Sequence, residues 1–82
     1  MPLSDRQLEI LAHYGNGYNA PEMTKLVFLS ENTIHNYMKR ARKKTGALSI
    51  NQLIVWCIAD GSLKINSDGS VVPKLEPNEQ QS

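Results

Sequence analysis

Ser30-Glu31-Asn32-Thr33-Ile34-His35-Asn36-Tyr37-Met38-Lys39-Arg40-Ala41-Arg42-Lys43-Lys44-Thr45-Gly46 is the stretch on which the fold turns. It opens on a serine able to cap a helix by accepting a hydrogen bond from a first-turn amide. Glu31 follows, where a carboxylate meets the positive end of the helix dipole. Ile34, Met38 and Ala41 recur at spacings of four and three, which marks one buried helical stripe. Lys39, Arg40, Arg42, Lys43 and Lys44 gather toward the favourable C-terminal end, and Thr45-Gly46 supplies the stop. The spacing predicts a helix over 31–44, roughly 21 Å long. One side is apolar; His35, Asn36, Lys39 and Lys43 share another.

Working outward, Asn19 and Glu22 have the spacing of a capping box for a short preceding helix, with Pro21 in its first turn. Met23, Leu26 and Val27 are its expected buried stripe. At about two turns it does not hold alone. Phe28-Leu29 reads as an apolar hinge between the two helices. Further upstream, Ser4 and Gln7 form another capping box, with Leu3 and Leu8 as its hydrophobic staple. Leu8, Leu11 and Tyr14 share a helical face with Ile10 beside it, and Tyr14 is read as core. Gly15-Asn16-Gly17 ends this first helix.

Downstream, Ser49 caps a fourth helix that runs to about Asp60-Gly61. Leu53, Ile54, Cys57 and Ile58 make one apolar face. Gln52, Val55, Trp56 and Ala59 make a second, spaced i, i+3, i+4 and i+7. Asn66-Ser67-Asp68-Gly69-Ser70 is a turn signal between two short apolar runs, Leu63-Lys64-Ile65 and Val71-Val72, and suggests a hairpin. Two such strands are marginal unless they pack on something. Beyond Pro73 the chain is polar and reads as disordered. The expected architecture is all-α: a four-helix helix-turn-helix domain over 1–63, then an extension over 64–82 in which a short hairpin at 64–72 is followed by a disordered tail.

An 82-residue chain is one small domain with a thin core. Cys57 is its single cysteine, so no disulfide supports the core, and a lone thiol fits a reducing compartment. No apolar run approaches the roughly 18 residues of a membrane span. The first residues lack the pattern of a signal peptide. The expected location is the cytoplasm. The net charge is only +1, yet five of the nine Lys and Arg lie between 39 and 44, and no acidic residue falls between Thr33 and Ala59. A local basic stripe attracts phosphate even in a near-neutral chain.

Enzyme chemistry has no foothold. His13, His35 and Cys57 fall on three different helices without metal-ligand spacing, and no Gly-x-Ser-x-Gly elbow is present. No cofactor or metal is expected. Glu9 and Glu22 read as charges that position helices. Two helices joined by a tight turn, the second basic, instead form a helix-turn-helix pattern. A major groove about 12 Å wide admits one α-helix, braced by the helix before it. Asn32, His35, Asn36 and Lys39 are then the candidate base readers. Asn binds adenine bidentately and Lys favours guanine acceptors. Ser30, Thr33, Tyr37, Arg40, Lys43 and Lys44 are the candidate phosphate ligands.

The chain also resembles the LuxR/GerE-type, NarL-like DNA-binding domain. The matching stretches are Leu3-Ser4, Arg6, Glu9-Ile10-Leu11, Gly17, Glu22-Met23, Phe28-Leu29-Ser30-Glu31, Thr33-Ile34, Lys44, Gly46, Gln52 and Gly61, in register from Leu3 through Leu63. The resemblance implies that the third helix reads DNA, that His35, Asn36 and Lys39 stand at base-contacting positions, and that the fourth helix mediates dimerisation. Departures occur at His35, where relatives carry Lys or Arg, at Tyr37 for His, Pro21 for Lys or Asn, Thr24 for Ala and Thr45 for Leu. Those at 35 and 21 remove positive charge and imply weaker affinity; those at 24 and 45 concern packing. With only Met1-Pro2 ahead of Leu3, the chain is similar to the free-standing form of the family, and the resemblance implies a place at the nucleoid of a bacterial cell.

The expected partners are double-stranded DNA and a second copy of the chain, joined through Gln52, Val55, Trp56 and Ala59. RNA polymerase or another transcription regulator is a further candidate. Two other readings stand beside this one. The run from Lys39 to Lys44 looks like the end of region four of a sigma factor, although Gly46 and the fourth helix favour the LuxR/GerE type. Alternatively, a lone domain of this type acts as an antagonist that binds another regulator through its fourth helix.

Overall fold

Each helix begins where a side chain takes up an orphan amide of its first turn. The computed structural model describes residues 3–74. It contains α1 (Asp5–Gly15), α2 (Ala20–Val27), α3 (Glu31–Thr45), α4 (Ile50–Asp60), β1 (Leu63–Ile65) and β2 (Val71–Pro73). The disordered tail expected beyond Pro73 falls, from residue 75 onward, outside the described residues. Both capping boxes form reciprocally. The Ser4 hydroxyl accepts from the Gln7 amide while Gln7 Oε1 accepts from the Ser4 amide. Asn19 and Glu22 do the same for α2. Ser30 and Ser49 accept from the amides of Thr33 and Gln52.

Helices α3 and α4 end on glycines in the left-handed region, Gly46 at φ 79° and Gly61 at φ 89°. A side chain with a Cβ adopts that conformation at a cost. Thr45, one of the departures from the family pattern, donates its hydroxyl to the carbonyls of Ala41 and Arg42 and so helps to close α3.

The core is built from Ile10, Leu11, Met23, Val27, Ile34, Ala41, Leu53, Cys57 and Leu63, all at most 1 % exposed. Helix α1 is at its centre, packed on α2, α3, α4 and β2. Two expected core residues lie elsewhere. Tyr14, at the end of α1, is 37 % exposed, and Leu26 of α2 is 41 % exposed. Both sit at the edge of their helix's apolar sector, where the neighbouring described elements cover them only in part. Ile58 and Trp56 are half-buried and pack against the core.

The two strands form the expected antiparallel hairpin, with Leu63 opposite Pro73 and Ile65 opposite Val71. Its five-residue loop closes through the Asn66 amide donating to the Ser70 carbonyl. What holds so short a sheet is its packing on α1 and α4. The Asn16 side chain donates to the Val71 carbonyl at 2.9 Å and accepts from the Val71 amide at 2.6 Å. Asn16 thereby acts as a surrogate strand residue, while Leu63 and Val71 enter the core.

Candidate nucleic-acid interface

Three buried residues set the rotation of α3. Ile34 and Ala41 are fully buried and Met38 is 6 % exposed. At 3.6 residues per turn, or about 100° each, they occupy one narrow sector. Asn32, Asn36, Lys39 and Lys43 fall opposite, and all four are exposed. Thr33, Tyr37, Arg40 and Lys44 follow one another along one flank, with Thr33 and Tyr37 half-buried and the two cations exposed. Glu31, His35 and Arg42 make the other flank. Helix α2, through Met23 and Val27, holds α3 in this orientation.

The flanks differ in charge. His35 Nε2 stands 3.7 Å from the Glu31 carboxylate, with both side chains more than half exposed. Such an exposed pair contributes little stability, but it sets an anion beside one expected base reader. Arg42, although part of the basic run, is half-buried, and its guanidinium donates to the Ala47 carbonyl at 3.3 Å. It clamps the loop between α3 and α4, while Lys39, Arg40, Lys43 and Lys44 face solvent. At the N-terminal end, the Ser30 hydroxyl donates to Thr33 Oγ1 at 2.8 Å.

On α4, Val55 is 61 % exposed, Ala59 is exposed, and Gln52 and Trp56 are half-buried. Gln52 is partly committed, since its Oε1 accepts from the Leu48 amide at 2.7 Å. Leu48 itself, just ahead of the Ser49 cap, is 85 % exposed. Sequence reasoning passes it over because it precedes the N-cap, where the helical period does not apply. The hairpin packs on α1 and α4 without covering Val55.

Among the described residues, no cluster of three or more His, Cys, Asp or Glu is placed to hold a metal, and no helix is long and apolar enough to cross a membrane. Comparison with curated proteins and with solved structures gives no match. The GerE family model, described as bacterial regulatory proteins, luxR family, matches residues 1–57. That span takes in α1 to α3 and most of α4. With four helices in the expected order and a basic third helix braced by a short second one, the chain belongs to the luxR family of bacterial regulatory proteins.

Proposed function

We propose that this protein is a transcriptional regulator that binds specific sequences of double-stranded DNA, with α3 lying in the major groove. The observation that supports this best is the division of α3 into a buried sector and an opposite face of two amides and two ammonium groups. A helix so divided offers hydrogen bonds to base edges along its centre and charge to phosphates along its side. In this reading Asn32, Asn36 and Lys39 read bases, with His35 beside them. Ser30, Thr33, Tyr37, Arg40, Lys43 and Lys44 hold phosphates.

The working unit is a two-fold dimer through α4, with Gln52, Val55, Trp56 and Ala59 at the contact. A short helix pair buries little area, so the free dimer is weak and DNA stabilises it. Two α3 helices related by a two-fold axis then favour an inverted repeat, with half-sites about 10 base pairs apart. The regulator acts in the cytoplasm.

Titrating labelled duplexes at several salt concentrations tests the reading. Log K falls against log salt with a slope of about −0.9 per phosphate neutralised. Lys43→Ala or Lys44→Ala weakens binding to all sequences alike and flattens the slope by about 1. Binding that ignores salt, or no binding to any duplex at low salt, overturns it. The exposure of Leu48 and Val55 favours a second reading, an antagonist that pairs with another regulator through α4. Capture of such a regulator without DNA binding is its distinguishing result.

A further inference from the structure

Phe28 closes α2 in the left-handed conformation, at φ 57° and ψ 41°, its amide donating to the Thr24 carbonyl. Among the described residues it is the one non-glycine with positive φ. It is also the most exposed large apolar side chain among them, at 87 %. Both properties oppose folding. An L-residue with a bulky side chain is strained in this region, where glycine or asparagine suits a helix end. A solvated aromatic ring forfeits the gain of burial. The fold formed by the described residues therefore draws little from the ring, which leaves it open to a partner.

Its position names the neighbour. Phe28 is three residues ahead of Glu31, the first residue of α3, so their Cα atoms are at most about 11 Å apart. That is within the roughly 12 Å width of a major groove. Between them stands Ser30, whose hydroxyl caps α3, and the exposed face beyond carries Asn32, Asn36, Lys39 and Lys43. Such a face suits a polyanion better than an apolar protein surface. An aromatic ring at its end suits the CH surface of a duplex, whether a thymine methyl or a deoxyribose.

We propose that Phe28 is a DNA-contact residue, its ring packed on a thymine methyl or deoxyribose at the edge of the groove that α3 enters. The proposal rests on the reading of α3 as the DNA-reading helix.

The test begins with a duplex enriched from a randomised pool by the wild-type chain. Its affinity is measured for wild type, Phe28→Gly, Phe28→Asn, Phe28→Tyr and Lys43→Ala, with thermal melting of each. The expected result is at least about a fivefold loss of affinity for the Gly and Asn variants, where about 1.4 kcal/mol corresponds to tenfold. Their melting temperatures stay unchanged or rise, and the Tyr variant retains wild-type affinity. A duplex carrying uracil in place of thymine identifies the contact. If the methyl is the partner, wild type loses affinity on it and Phe28→Gly does not; if the sugar is, both respond alike. Gly and Asn variants that bind like wild type, while Lys43→Ala is weakened, overturn the role of Phe28 and leave that of α3 standing. Variants that lose affinity and melting temperature together show a structural role and overturn it as well. Failure of the wild-type chain to enrich any duplex overturns the reading of α3 itself, and this proposal with it.

Discussion

Asn36 and Lys39 stand opposite the buried stripe of α3, so a change in either alters the exposed face without touching the core. Asn36→Ala and Lys39→Ala are expected to lower discrimination between an enriched site and its single-base variants by about 1–3 kcal/mol for each bidentate hydrogen-bond pair removed. Competition binding against a panel of mutated duplexes measures this. Unchanged discrimination in both variants means that the reading face is elsewhere. In the core, burial raises the pKa of Cys57, and the nearby Asp60 carboxylate raises it further. The sign follows from proton binding. Above about pH 8.5, the ordinary range of a thiol, the unfolded chain releases this proton while the folded chain keeps it. Stability then falls with rising pH by up to about 1.4 kcal/mol per unit, until the folded thiol also ionises. Melting curves from pH 7 to 10 should show this loss in the wild type and a smaller one in Cys57→Ala.

At the scale of elements, the junction between α1 and the hairpin admits changes of opposite sign. A Cβ added at Gly15 meets Val71 Cγ2 at 3.5 Å and Ile54 Cγ2 at 3.6 Å, ordinary contact distances, and Gly15 is helical. Gly15→Ala is therefore expected to stabilise by about 0.5–1 kcal/mol, through a smaller entropy loss and better packing. Asn16→Ala removes both hydrogen bonds to Val71. It is expected to cost about 2 kcal/mol, which lowers Tm by about 8–16 °C in a domain of this size. Thermal melting checks both, and amide exchange of residues 63–73 should quicken in Asn16→Ala. An unchanged hairpin in that variant would mean that Leu63 and Val71 hold it by packing alone.

For the whole molecule, the proposed two-fold assembly through α4 carries a prediction of its own. Trp56 packs against the core, whereas Val55 stands 61 % exposed. Val55→Glu is thus the cleaner probe of the proposed contact, because it sets a charge on an already solvated position. Circular dichroism should match wild type. Sedimentation on a duplex with two half-sites should show the second copy loading about tenfold more weakly, the equivalent of about 1.4 kcal/mol at the interface. Undiminished cooperativity in a folded variant places the dimer contact away from α4.

What is legible in the sequence is local. Ser4, Asn19, Ser30 and Ser49 announce their helices because each cap joins residues three apart, so no distant partner is needed. The buried stripe of α3, and with it the exposed face of the candidate site, follows from helical period alone. Covering is another matter. Tyr14 and Leu26 have core spacing, yet whether a residue at the edge of an apolar sector is buried depends on what another element brings over it. The tie from Arg42 to Ala47 and the left-handed turn at Phe28 also emerge only when side chains and backbone take one joint conformation. The hairpin shows the division most clearly. Its turn is written in neighbouring residues, but its anchor is Asn16, 55 positions away from Val71. No period or cap signals such a contact, because chain packing, not local preference, brings the two together.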